Sequence, residues 1–173
     1  MDHKEAMSRL RLARTTYVGP IICQLLMAVM EQLLKHLLQF RNIGSWGAET
    51  YAFPADKARE EWDKLYASGG QFIFHGTAEY PAALEHYDDA PFILSARGHA
   101  SLLQRKGCVI IGARNASLNA YKLAERLGSE IGEGGFTIIL GMARGIDTAA
   151  HLGSLKTGII AVLANGVGIP YPR

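Results

Sequence analysis

Glycine and arginine recur together in two short segments, Gly112-Ala113-Arg114-Asn115-Ala116-Ser117 and Gly141-Met142-Ala143-Arg144-Gly145. A guanidinium stays charged and offers a planar fork of N–H donors that matches phosphate oxygens. Glycine lets a backbone come close to whatever lies beside it. Ser117 can cap a following helix, whose free first N–H groups attract anions. Taken alone, the first segment reads as a phosphate site of Gly112, Arg114 and Ser117, or as an ordinary strand-to-helix turn with a solvated arginine. The second repeats the scheme, with Gly141, Arg144 and Gly145 before a helix that carries Asp147. A carboxylate in a helix's first turn interacts well with the dipole, so Asp147 reads as a cap or as Arg144's partner ahead of any catalytic role. The two loops together suit a phosphodiester backbone or nucleotide phosphates.

Catalytic patterns are missing from the sequence. It has no GxGxxG dinucleotide fingerprint, no GxxxxGK(S/T) phosphate loop and no GxSxG nucleophile elbow. His151 falls on a predicted helix without a nucleophile at useful spacing, which favours a structural role. Cys23 and Cys108 stand far apart in apolar runs with no CxxC or Cys/His spacing, and read as buried free thiols in a reducing compartment. The expectation is a protein that is not an enzyme and needs no metal or cofactor.

Loops of this kind need a frame. From residue 107 onward, apolar runs alternate with helical periods: Cys108–Ile111, a helix over 119–133, Phe136–Leu140, a helix over 146–156, and Ile159–Leu163. Apolar strands alternating with helices predict a parallel sheet buried on both faces, with ligands at the carboxyl ends of its strands. Leu123, Ala124, Leu127 and Ile131 are expected on the buried face of the first helix. Upstream, Phe72-Ile73-Phe74 and Pro91–Leu94 read as extended, with a helical turn after Tyr80-Pro81. Residues 1–66 read as a helical module and 67–173 as the sheet domain. Within the module, 55–67 is a charged helix, and 43–47 (Ile43 to Gly47) is a loop. Apolar pairs recur every four residues over Ile21–Phe40, a spacing that drifts about 40° per step against a 3.6-residue turn. Two short helices divide that run better than one straight helix, with Pro20 in a first turn.

Bulk properties restrict the class without choosing a partner. About half of the 173 residues are hydrophobic and the net charge is +2, which suits a globular protein rather than a disordered one. A polyanion partner would need only a local basic patch. The first residues mix acids and bases around no apolar core, unlike a signal peptide. Gln24, Glu31, Gln32, Lys35 and His36 interrupt the longest apolar stretch, unlike a membrane span. A cytoplasmic protein without membrane association is expected.

The two loops and their flanks resemble the DprA/Smf family of DNA-processing proteins. The family's opening Gly-Ser-Arg loop with a nearby serine is matched at Ile110 to Ser117. Its signature Ser-Gly-x-Ala-x-Gly-Ile-Asp-x-x-Ala-His is matched from Leu140 to His151. Tyr80-Pro81-Ala82-Ala83-Leu84, Pro91–Leu94 with Gly98, Ala161–Gly166 and Tyr171-Pro172 are similar to the flanking segments. The resemblance runs from about Gln71 to the end, and Leu10–Leu26 is similar to the small helical module preceding the fold in many members. It implies a Rossmann-like α/β fold that binds single-stranded DNA and helps load the RecA recombinase in transformation and recombination, with a possible homodimer. By position, Gly112, Arg114 and Ser117 would contact phosphates, while Gly141, Arg144 and Gly145 would shape the adjacent wall. Ala113, Leu140 and Gly168 depart from the usual serine, serine and aspartate. The family's fold continues past the position of Arg173, so 67–173 is expected to be only its N-terminal part. Two alternatives are a nucleotide-processing hydrolase, whose Pro-Gly-Gly-x-Gly-Thr loop and glutamate are not found here, and a truncated copy without function.

Overall fold

The computed structural model describes residues 1–33, 52–164 and 166–167. They fall in two compact units, Met1–Ala96 and Arg97–Arg173.

The first unit contains α1 (His3–Arg14), α2 (Pro20–Leu33), α3 (Ala55–Ala67), β1 (Gly70–Phe74), α4 (Ala82–Glu85) and β2 (Ile93–Arg97). Asp2 caps α1, its carboxylate accepting from the Glu5 amide at 2.7 Å. Ala6 and Leu10 of α1 are buried, as are Ala58 and Leu65 of α3. Arg14 joins the two helices through Glu61, with Nη2 2.7 Å and Nε 3.1 Å from the carboxylate. Trp62 stacks on Tyr66 at 4.9 Å between ring centres and leans on Phe72 of β1 at 5.3 Å. β1 and β2 pair with each other. Composition groups these strands with the region from residue 67, yet they pack in the first unit, where Gly70 lies against Leu65 of α3.

α2 begins on Pro20, as expected, and runs without a break to Leu33, where the spacing of apolar pairs favours two short helices. The rest of the Ile21–Phe40 run, and the loop read at 43–47, lie outside the described residues. The drift of the apolar stripe explains its packing: Cys23 is buried, while Ile21, Leu25 and Val29 are exposed. Burial pushes the Cys23 thiol up to about 11, so it stays protonated. Cys108 is also free but only half-buried.

The second unit opens with a 3-10 turn (Ala100–Gln104), followed by β3 (Gly107–Cys108), α5 (Leu118–Glu133), β4 (Thr137–Leu140), α6 (Ile146–Ser154) and β5 (Ile159–Ala161). The strands form a parallel sheet in the order β3-β4-β5, with Cys108 opposite Ile138 and Leu140 opposite Ala161. This α/β arrangement is the predicted Rossmann-like class. One detail is corrected. Both helices pack on one face, where Ile138, Leu140 and Ala150 gather with Cys108, Ile110 and Ile131. Val109 and Ile111 point the other way and are 57% and 86% exposed. The run expected as a strand over Cys108–Ile111 therefore pairs only through Cys108 and continues as edge backbone covered on one side.

α5 and α6 meet through small residues. A Cβ on Gly128 would strike the Ala150 carbonyl, and one on Gly153 would strike the Glu125 carbonyl and come within 3.1 Å of the Ser129 amide. Ala124, Gly128 and Gly132 thus form the buried stripe of α5. Leu123, expected on that face, is 48% exposed because the stripe is set by the residues that allow close approach. Arg105 ties the ends of this layer, donating to the Thr157 carbonyl at 2.7 Å and the Gly135 carbonyl at 3.2 Å.

His151 is buried on α6, and its Nε2 has no hydrogen-bond partner among the described residues. Burial lowers its pKa below 6.5, opposed by the charge of Asp147 and the Ile160 backbone. The unfolded chain therefore takes up this proton at higher pH than the folded one. The stability it contributes is present above about pH 6.5 and is lost as pH falls toward the lowered folded value.

Two outcomes are expected. Gly153→Ala lowers stability by about 1–3 kcal/mol through overpacking, despite alanine's better helix propensity, and this reads as a lower urea midpoint at unchanged slope. His151→Gln flattens the fall in melting temperature between pH 7 and pH 5, measured by calorimetry across that range; an unchanged profile would assign the pH dependence to other groups.

Candidate nucleic-acid interface

The loop after β3 and the loop after β4 lie side by side at the carboxyl end of the sheet. The amide of Ile146, first residue of α6, donates to the Ala113 carbonyl at 3.2 Å. Gly145 adopts φ +88°, a conformation open to glycine, and a Cβ there would strike the carbonyls of Ala113 and Arg114. Gly112 faces the same junction, because its Cβ would fall 2.5 Å from Cγ1 of Ile146. These two glycines serve the approach of one loop to the other. Gly141 is different: it is exposed, and a Cβ would meet only ordinary contacts with Asp147 and the Val162 carbonyl.

Ser117 caps α5, as its position predicts, with its hydroxyl oxygen accepting from the Ala120 amide at 3.3 Å. Its O–H proton remains available to a ligand oxygen. The backbone amides of residues 112–116 make no hydrogen bond among the described residues. Arg114 and Arg144 are both exposed, and neither is paired with an acid among the described residues.

The second loop spends several of its polar groups within the fold. Asp147 Oδ2 accepts from the Gly141 amide at 3.3 Å and the Ala143 amide at 3.4 Å. Met142 between them has φ +57°, a left-handed turn that aims both amides at one oxygen. Thr148 Oγ1 donates to the Ala143 carbonyl at 2.8 Å, and the Gly145 amide donates to the Tyr121 hydroxyl at 3.1 Å. Asp147 takes neither of the two roles expected of it: among the described residues α6 has no side-chain cap and Asp147 is not paired with Arg144, so its carboxylate braces the preceding loop instead. Tyr121 and Thr148 are not among the residues that sequence reasoning selects. Tyr121 sits three residues before Ala124 on the face of α5 that packs on α6, and that periodicity is the signal that could find it.

The arrangement can cradle an anion on loop-one amides at the start of α5, with two guanidinium groups free to add charge. Among the described residues no helix is long and apolar enough to cross a membrane.

Comparison with known proteins agrees in sequence and in fold. The family model for DNA recombination-mediator protein A matches residues 71–173. DNA processing protein DprA of Streptococcus pneumoniae is 35% identical over 96 residues, covering 54% of this chain and 34% of that protein. DprA of Bacillus subtilis is 35% identical over 98 residues, covering 55% and 33%. Protein Smf of Escherichia coli is 33% identical over 96 residues, covering 54% and 26%. This chain thus spans about a third of the length of the curated relatives it matches. The crystal structure of the S. pneumoniae DprA superposes with a TM-score of 0.65 at 25% identity, over 95% of this chain and 59% of that one. DNA processing protein A of Helicobacter pylori, known for a single-stranded DNA binding mode, gives 0.52 at 25% identity, over 59% and 46%. The chain belongs to the DNA recombination-mediator protein A family.

Proposed function

We propose that this chain holds single-stranded DNA by its backbone and acts as a recombination mediator without catalysing a reaction. The observation that carries this reading is the hydrogen bond from the Ile146 amide to the Ala113 carbonyl. It brings two exposed arginines, neither paired with an acid among the described residues, to one end of a parallel sheet. Loop one supplies its backbone amides, Arg114 and the Ser117 hydroxyl, while loop two supplies Arg144. Gly112, Gly141 and Gly145 shape the surface between them.

Membership of the family supports this assignment, as does the single-stranded DNA binding of the H. pylori relative. Contacts of this kind reach phosphates rather than base edges, so binding tolerates sequence and weakens with salt. RecA loaded onto the bound strand is the partner that the family likeness favours, and 1–66 is read as a helical module preceding the sheet domain of 67–173.

The test is anisotropy of a labelled oligothymidine titrated with the protein over a range of salt. Arg114→Ala is expected to weaken binding about tenfold, as loss of a charged hydrogen-bonding group does. It should also make the slope of log affinity against log salt shallower by about 0.7 for each phosphate that is no longer neutralised. Unchanged affinity and slope would remove loop one from the interface.

A further inference from the structure

Loop two is rich in glycine and exposed only at Gly141 and Arg144, and its backbone is hydrogen-bonded at Gly141, Ala143, Gly145 and Ile146. The Gly141 and Ala143 amides go to Asp147, the Ala143 carbonyl to Thr148, the Gly145 amide to Tyr121 and the Ile146 amide to Ala113. The partners come from α5, from α6 and from loop one, so the loop is held from three sides. Its anion nest already contains an anion, the carboxylate of Asp147. Among the described residues, the loop leaves unbonded the exposed side chain of Arg144 and the amides of Met142 and Arg144.

We propose that Asp147 is a positioning residue for DNA binding. It fills the amide nest of loop two in place of a ligand phosphate, and so fixes the turn from which Arg144 reaches the strand. This inference rests on the backbone-binding reading above and deepens it: of the two loops, loop one receives a phosphate on its amides, and loop two contributes a guanidinium from a fixed base. Two features argue for a fixed base. A left-handed Met142 is disfavoured for a residue with a Cβ, so the turn needs a partner to hold it. One carboxylate oxygen taking both flanking amides supplies that partner without help from a ligand.

The experiment is a double-mutant cycle on the full chain, with oligothymidine affinity as the readout. Arg144→Ala and Asp147→Ala are each expected to cost about tenfold. The double variant should bind no more weakly than Arg144→Ala alone, because an unpositioned Arg144 and a missing one are equivalent. Asp147→Asn keeps an oxygen for the two amides and is expected to restore most of the binding. A general loss of fold would weaken the protein equally with and without Arg144, so the coupling separates positioning from mere stability.

Should Asp147→Ala fail to fold, Thr148→Val removes only the bond to the Ala143 carbonyl and closes the same cycle with Arg144→Ala. Additive losses would overturn the proposal. So would tighter binding by Asp147→Ala with a salt slope steeper by about 0.7, since the freed amides would then be holding a phosphate themselves. If Arg144→Ala changes nothing while Arg114→Ala weakens binding, this inference falls and the reading of loop one stands. If Arg114→Ala changes nothing, the backbone-binding reading falls and takes this inference with it.

Discussion

One backbone hydrogen bond, from the first amide of α6 to the Ala113 carbonyl, makes a single surface of what would otherwise be two separate loops. The bond requires that the chain after β3 and the chain after β4 come within van der Waals distance. That approach requires residues without Cβ atoms on both sides. Gly112 meets Ile146 and Gly145 meets the Ala113 and Arg114 carbonyls, so each loop leaves room for the other. Glycine here is a condition of loop meeting loop.

The same requirement extends downward into the helices. α5 and α6 follow the two loops, and the loops can converge only if the helix axes are close. Gly128 against Ala150 and Gly153 against Glu125 allow that closeness, leaving large residues such as Leu123 to the outside. Backbone-to-backbone packing of this kind resists change in volume, because the neighbour that would have to move is a helix rather than a side chain. The site is therefore built on the most closely packed part of its unit.

Much of this is legible in the residues. The order of strands and helices from Cys108 to Ile160 follows from alternating apolar periods, and the Ser117 cap from its place before an amphipathic run. α3 matches its expected bounds because glycines end it. The rest needs three dimensions. A run such as Val109-Ile110-Ile111 reads the same whether one face or two are covered, so the exposure of Val109 and Ile111 stays hidden. Asp147 has two plausible partners, and the choice of amides over Arg144 depends on the left-handed turn at Met142, which no periodicity announces. The partners of Gly112 and Gly145 are equally out of reach, since glycine has no side chain whose type would name its neighbour.

The internal bracing of the second loop has a thermodynamic corollary. A turn already braced by Tyr121, Asp147 and Thr148 has little freedom left to lose when a ligand arrives. On the proposed binding mode, the entropic cost of association would fall on the side chains of Arg114 and Arg144, with ordering of such a side chain costing about 0.5–1.5 kcal/mol. A polymer held in the proposed way would meet a backbone already in place, and two long side chains would set how tightly each segment is held.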